Sequence, residues 1–140
     1  YKPLEHRHAP EVETIAEAVT GRKPAIRFVP HSGPFARGIH VTIQGRLADR
    51  AGAGALGAAL EAAYADKTFI EVVDAPPRIK DVAGSNRARL HVACGDGNYA
   101  VLVVIDNLIK GAAGGAIQWM NRLLGLPEAA GLTQAGPAWI

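Results

Sequence analysis

The feature that most constrains the fold is a turn between two strand-like segments. Residues 95–98, Gly-Asp-Gly-Asn, have the small and polar side chains that tight β-hairpin turns require. The segment after the turn, residues 99–105, is an unbroken apolar run. Such a run is typical of a central strand whose sheet is covered on both faces. The sequence therefore predicts a hairpin of residues 87–94 and 99–105, with its second strand inside the sheet.

The first third of the chain predicts one helix and two strands. Residues 10–19 place a proline and acidic residues before apolar positions at helical spacing, and Gly21 follows as a helix end. Residues 25–30 predict a short strand. Strict alternation over residues 39–44 predicts a half-buried strand.

The remaining segments complete an α-β-β-α-β-β-β-α order. Residues 51–65 are alanine-rich and predict a helix, although glycines weaken it. Residues 68–73 predict a strand, and a last helix starts near Lys110. An irregular tail covers residues 125–140. This order predicts an α+β fold with a mixed, mostly antiparallel sheet and helices packed on it.

Composition excludes several function classes. The chain has 140 residues, and 15 basic residues against 13 acidic ones leave a net charge of +2 without clustering. This argues against nucleic-acid and polybasic membrane partners, and the longest apolar run is too short to span a bilayer. The single cysteine, Cys94, excludes a disulfide framework within the chain. We expect one cytoplasmic domain over residues 1–140 and, because the chain opens on Tyr1, a fragment of a longer protein.

Four short segments carry residues suited to chemistry. His6-Arg7-His8 with Glu11 suits acid/base catalysis or metal binding, but it also suits a solvated turn before a helix. In the loop of residues 30–38, His31 and Arg37 suit a carboxylate or phosphate, although a plain solvent loop is an equal alternative.

The other two segments contain glycine. Gly84-Ser85-Asn86 forms either a turn or a small nest for an anion. Residues 106–116 place an Asp-Asn step before a helix start that lacks large side chains, which permits close approach of a ligand or of another helix. Neither a P-loop nor a GxGxxG fingerprint is present. Cys94, at a strand end, is expected to be structural rather than a nucleophile.

Taken together and in this order, these segments resemble the C-terminal half of the N-acetyl-γ-glutamyl-phosphate reductases, a semialdehyde dehydrogenase family. The resemblance covers nearly the whole chain. The matching segments are His6-Arg7-His8-x-Pro10-Glu11, Phe28-x-Pro30-His31 to Arg37-Gly38-Ile39, Val82-x-Gly84-Ser85-Asn86, residues 106–114 through Gln118-x-x-Asn121, residues 124–128, and Gly131-Leu132.

The resemblance implies a fold and an activity. The fold would be that of the C-terminal domain of glyceraldehyde-3-phosphate dehydrogenases, in a homo-oligomer. The activity would be NADPH-dependent reduction of N-acetyl-glutamyl 5-phosphate to the semialdehyde with release of phosphate. In this family a cysteine thiolate of the N-terminal nucleotide-binding domain attacks the acyl phosphate and forms a thioester.

The resemblance also implies roles for individual residues. An acid/base role would fall to His8 or His6, with Glu11 orienting the pair. The anionic substrate would be held by His31, Arg37, Arg7, Ser85 and Asn86. The NADP cofactor would contact Asn107 and Gly111. No metal is implied.

Two parts of the family pattern are missing from this sequence. It has no nucleotide-binding fingerprint, and Cys94 lacks the family's nucleophile context, a cysteine after glycine at a helix start. The chain is therefore expected to be a substrate-binding and dimerisation domain that is inactive alone. The alternatives are the sister aminoadipyl-phosphate reductase of lysine biosynthesis, a non-catalytic dimerisation module and a zinc protein.

Overall fold

Two compact units, Tyr1–Phe35 and Ala36–Ile140, make up the chain, and we call them the N-terminal unit and the sheet unit. The computed structural model describes residues 2–47 and 53–137. Each unit is described by itself below.

The N-terminal unit is built on helix α1 (His8–Thr20). Gly21 ends the helix in the left-handed conformation, with φ of 69°, and its amide donates to the Glu17 carbonyl at 2.8 Å. The predicted helix and its glycine end are thereby confirmed.

The strand predicted over residues 25–30 is wrong, because this segment is irregular. Its backbone groups pair singly rather than in a ladder. The Leu4 amide donates to the Phe28 carbonyl at 2.9 Å, and the Ile26 amide donates to the Glu13 carboxylate at 3.4 Å. Scattered partners of this kind satisfy the backbone without a neighbouring strand.

The sheet unit is a mixed four-stranded sheet in the order β1-β4-β3-β2, with helices. The β1–β4 and β3–β4 pairs are antiparallel, whereas the β2–β3 pair is parallel. The predicted α+β class with a mostly antiparallel sheet is confirmed. The elements in chain order are β1 (Ile39–Arg46), α2 (Ala53–Tyr64), β2 (Ile70–Val72), a 3₁₀ turn (Ile79–Asp81), β3 (Ala88–Gly95), β4 (Asn98–Ile105), a π-helical turn (Ile109–Ala113) and α3 (Gly114–Leu123).

The hairpin predicted from the glycine-rich turn is present. Asp96 and Gly97 both have positive φ, 51° and 74°, as the tightest hairpin turns require. Strand β4 lies between β1 and β3, and its buried residues Val101 and Val104 point to opposite faces. The predicted central position of the strand is confirmed, and one of its residues is buried on each face.

The core of the sheet lies on the face that helix α2 covers. Ala88, Leu90 and Val101 are buried there, and Leu56 and Leu60 of α2 pack against them. Burial of this kind supplies the main stabilising free energy of a small unit.

Strand β1 does not show the predicted half-burial. Ile39, Val41 and Ile43 pair with Ile105, Val103 and Val101 and therefore share the core face, yet they are 40–49% exposed. The reason is position, since β1 is an edge strand and α2 contacts β2 and β3.

Other boundaries differ from prediction by a few residues. Helix α2 occupies residues 53–64 of the predicted 51–65, of which residues 51–52 lie outside the described part of the chain. Strand β2 is shorter than predicted, and the last helix begins as a π-helical turn. No helix within residues 2–47 and 53–137 has the length and apolar character needed to cross a membrane.

Candidate functional site

The N-terminal unit brings its two predicted acid/base histidines into contact. The ring centroids of His6 and His8 are 4.6 Å apart, and the His6 ring stacks on Phe28 at 4.9 Å. The His8 amide donates to His6 Nδ1 at 3.3 Å. This bond is compatible with a neutral His6 ring that carries its proton on Nε2.

The environment of His6 favours the neutral ring. Burial against Phe28 lowers the pKa of His6, the nearby charges of His8 and Arg7 lower it further, and Glu11 opposes them. A neutral imidazole at physiological pH is able to accept a proton.

Three other predicted residues lie in the same unit. The Glu11 carboxylate makes no hydrogen bond to either imidazole, although the described residues include all three side chains, and it acts on His6 through its charge. Arg7 and His31 are exposed, and His31 lies in an irregular segment.

The sheet unit holds a second candidate site around the buried carboxylate of Asp106. Its side chain has no solvent exposure and lies directly after β4. Oδ1 accepts hydrogen bonds from the Leu108 and Ile109 amides, both at 2.8 Å, and Oδ2 accepts one from the Gly84 amide at 2.6 Å.

The Arg37 guanidinium forms an ion pair with the same carboxylate. Its Nη2 donates to Oδ1 of Asp106 at 2.9 Å, and its Nε lies 2.7 Å from Oδ2. Nε makes no hydrogen bond among the described residues, so one hydrogen bond and a close charge contact join Arg37 to Asp106. Arg37 Nη1 has no hydrogen-bond partner within the described part of the chain, and the side chain is 22% exposed.

This cluster holds Asp106 in its ionised form. Burial alone would raise the pKa of Asp106, but the hydrogen bonds from Arg37 and from the backbone of Gly84, Ile109 and Leu108 outweigh it and lower the pKa to about 2. The same ion pair raises the pKa of Arg37. Both charges persist across the physiological pH range.

The predicted cofactor residues follow Asp106 directly. Asn107 Oδ1 accepts a hydrogen bond from the Gly38 amide at 2.6 Å, and its Nδ2 has no partner among the described residues. Gly111 is exposed in the π-helical turn, and its amide donates to the Asp106 carbonyl at 2.9 Å.

The predicted substrate residues Ser85 and Asn86 are both buried. The Ser85 hydroxyl donates to the Val82 carbonyl at 2.7 Å within the turn. Asn86 Nδ2 donates to Gln118 Oε1 at 3.1 Å, whereas its Oδ1 is buried without a partner among the described residues. Each side chain is thus held in one orientation.

A polar chain continues from Asn86 through α3. Lys110 Nζ donates to Gln118 Oε1 at 2.6 Å, and Gln118 Nε2 donates to the Glu128 carboxylate. Burial lowers the pKa of Lys110, and the charge of Glu128 opposes that effect.

Asp106 and Lys110 are absent from the residues predicted above, although both lie in the Asp-Asn segment singled out there. The available signal was a carboxylate placed immediately after an apolar strand, a position that demands buried partners. Those partners, Arg37 and Gly84, are distant in sequence and could not be identified from it. Within residues 2–47 and 53–137, no group of three or more His, Cys, Asp or Glu side chains could hold a metal ion.

Fold and sequence comparison together define the class of protein. Residues 1–107 match the sequence profile of the family described as "Semialdehyde dehydrogenase, dimerisation domain". The chain belongs to this family.

Individual relatives carry a more specific name. The chain is 43% identical to "N-acetyl-gamma-glutamyl-phosphate reductase" of Acidithiobacillus ferrooxidans, over 92% of this chain and 38% of that protein. It is 42% identical to the protein of the same name from Bordetella pertussis, over 92% and 38%. The protein of that name from Pseudomonas savastanoi is 44% identical, over 94% and 39%. The chain therefore spans about two fifths of the length of these relatives.

Proposed function

We propose that the protein containing this chain is an NADP-dependent N-acetyl-γ-glutamyl-phosphate reductase of arginine biosynthesis, acting in the cytoplasm. The observation that carries the proposal is 42–44% identity to reductases of that name over more than nine tenths of the chain. The reaction reduces an acyl phosphate to an aldehyde and releases phosphate. This chain would supply the acid/base and substrate-binding groups.

The histidine pair supports the acid/base role. The rings of His6 and His8 lie in contact, and the exposed His8 ring can accept a proton from an attacking thiol, whereas His6 could do so only after its Nδ1 releases the His8 amide. The imidazolium formed in that step would protonate the thiohemiacetal oxygen, and the neutral imidazole would take that proton back as the C–S bond breaks and the aldehyde and thiolate separate. The attacking thiol would come from the N-terminal nucleotide-binding domain, because Cys94 lies at the hairpin end of β3.

Substrate binding is assigned to the sheet unit through Arg37. Its Nη1 edge is free of hydrogen bonds among the described residues, and its charge is permanent, as recognition of a carboxylate or phosphate requires. Ser85 and Asn86 follow Gly84, whose amide is bonded to the same carboxylate as Arg37.

The residues assigned to the nucleotide fit that group. Asn107 Nδ2, which has no partner among the described residues, is a donor for a carboxamide oxygen, and the exposed Gly111 has no side chain to hinder close approach. The nucleotide, when bound, supplies the hydride.

The edge strand β1 supports self-association. Its exposed apolar side chains Ile39, Val41 and Ile43 continue the core face beyond the cover of α2. Exposed apolar patches of this kind mark interfaces, and we assign this one to a homo-oligomer. The expected result of Val41→Lys is a smaller species by size-exclusion chromatography with light scattering, whereas Thr42→Lys on the opposite face leaves the mass unchanged.

The reductase assignment is tested on the full-length protein in the reverse direction. Purified enzyme is mixed with N-acetyl-glutamate 5-semialdehyde, NADP and phosphate, and absorbance of the reduced nucleotide is followed. We expect nucleotide reduction that depends on phosphate.

Two other outcomes would redirect the assignment. A higher kcat/KM with the carrier-linked aminoadipate semialdehyde would favour the lysine-pathway reductase, although one methylene contributes only about 1–3 kcal/mol of discrimination. No turnover with either substrate would favour a non-catalytic dimerisation module.

A further inference from the structure

We infer that Asp106 is a positioning residue that aligns the substrate-binding and cofactor-binding groups of the sheet unit through one buried carboxylate. The inference rests on the proposed function, because the roles of the aligned groups come from it. Three segments meet at this carboxylate: the end of the loop with Arg37, the turn that starts at Gly84, and the entry to the π-helical turn after Asn107.

The bonding pattern shows why these segments depend on Asp106. Its partners are all donors: the Arg37 guanidinium and the backbone amides of Gly84, Leu108 and Ile109. The Gly84 amide is 22 residues distant in sequence and Arg37 is 69 residues distant. The two carboxylate oxygens of Asp106 therefore fix the positions of three separate parts of the chain relative to each other.

Burial separates this role from catalysis. Asp106 has no solvent exposure, so substrate cannot reach its carboxylate. Its influence must pass through Arg37 and Asn107, which are only partly buried. Since Arg37 Nη2 donates to Asp106 and Nε lies 2.7 Å from Oδ2 of the same carboxylate, the Nη1 edge is the part that stays available to an anion.

The neutral isostere cannot replace the carboxylate. An asparagine at this position would have one acceptor oxygen instead of two. Its NH₂ group would face other donors in either orientation: the Gly84 amide and Arg37 Nε, or Arg37 Nη2 and the Leu108 and Ile109 amides. Buried donors left without an acceptor are costly, so the loops are expected to shift.

The principal test is Asp106→Asn in the full-length reductase, after the wild-type protein has shown phosphate-dependent activity. Displacement of binding groups by about 1 Å is able to lower rates about 10²-fold. We expect kcat/KM to fall about 10²-fold, with the KM values for phosphate and for NADP both raised.

Asp81→Asn is the matched control. Asp81 also pairs with an arginine, Arg78, and accepts a backbone amide, but that arginine is exposed. We expect this control to keep wild-type KM values. A folded Asp106→Asn enzyme with unchanged KM values and only a lower unfolding temperature would overturn the inference and leave the proposed function standing.

A second variant covers the case in which Asp106→Asn does not fold. Arg37→Lys keeps the positive charge but lacks the paired N–H groups that face Asp106. We expect folded protein, by circular dichroism, with the KM for phosphate raised about tenfold and kcat changed less. Unchanged KM in this variant would overturn the inference, whereas an inactive wild-type protein would overturn the proposed function and the inference with it.

Discussion

The histidine pair of the N-terminal unit and the Asp106 cluster of the sheet unit are organised in opposite ways. His6 and His8 are two residues apart, partly or fully exposed, and held by ring contacts and one long hydrogen bond. Asp106 is fully buried and held by short bonds to groups up to 69 residues away. One site is local and open to solvent, whereas the other is long-range and closed.

Under the proposed function, this difference corresponds to two tasks. A proton-transfer group must meet its substrate and change its charge near neutral pH, which suits an exposed imidazole. A positioning group must keep one charge and one geometry, which suits a buried carboxylate with all its acceptor sites used. The following variants test whether the two regions differ in this way.

The largest effect is expected at the histidine pair. In the full-length enzyme, His8→Ala should lower kcat by roughly 10²–10⁴-fold if His8 is the acid/base group, because proton transfer contributes that much. Steady-state kinetics of His8→Ala and His6→Ala, measured side by side, identify which ring carries the role. His40→Ala, on the exposed strand β1, is the control and should keep wild-type turnover. Wild-type kinetics in both test variants would contradict the assignment.

The next effect is a loss of stability in acid that depends on Asp106. Because its folded pKa of about 2 lies below its usual value, the ion pair stabilises the protein above pH 4 and this contribution is lost as pH falls towards 2. The difference between the folded and the usual pKa of Asp106 corresponds to about 2 kcal/mol of folding free energy. Chemical denaturation at several pH values should show a smaller acid-dependent loss in Asp106→Asn than in the wild-type protein. Parallel pH profiles would contradict the buried ion pair.

A smaller effect tests how tightly the region around Asp106 is packed. A Cβ at Gly114 would lie 2.5 Å from Asn86 Oδ1 and 2.9 Å from the Ile109 carbonyl oxygen. Asn86 is buried and bonded to Gln118, so it cannot yield easily. Gly114→Ala should therefore lower the free energy of unfolding by about 1–3 kcal/mol, although alanine favours helix.

Gly54→Ala, in helix α2, is the control for Gly114→Ala. A Cβ at Gly54 meets nothing within 4 Å. Its free energy of unfolding should stay the same or rise slightly, because alanine has the higher helix propensity. Equal effects at Gly114 and Gly54 in thermal denaturation would show that the contact with Asn86 is not restrictive.

The smallest expected effect concerns the titration of His6. Phe28→Ala removes the ring that buries His6, so the pKa of His6 should rise towards its usual value. Titration by NMR of the imidazole protons measures the change, and Phe28→Leu serves as the control that keeps an apolar side chain. An unchanged pKa in Phe28→Ala would assign the lowered value to the charges of His8 and Arg7 instead.

Local signals in the sequence predicted much of the fold. The turn at residues 95–98, the central strand after it, and the glycine that ends α1 are all present because each depends on neighbouring residues. The strand expected over residues 25–30 is wrong, because a strand also needs a partner with which to form a ladder. The exposure of β1 could not be predicted from the sequence either. Alternation of apolar and polar residues shows that a strand has two different faces, but not which helix or strand covers each face.

By itself, the sequence determined the α+β class, the hairpin at the centre of the sheet, and the presence of a His-x-His motif before a helix. The family follows from it too, because residues 1–107 match that family's profile. Tertiary structure alone decided that Arg37, Gly84 and the turn after Asp106 meet at one carboxylate. The physical reason is that a buried charge must find donors wherever the folded chain brings them, and spacing along the sequence does not record which distant groups those are.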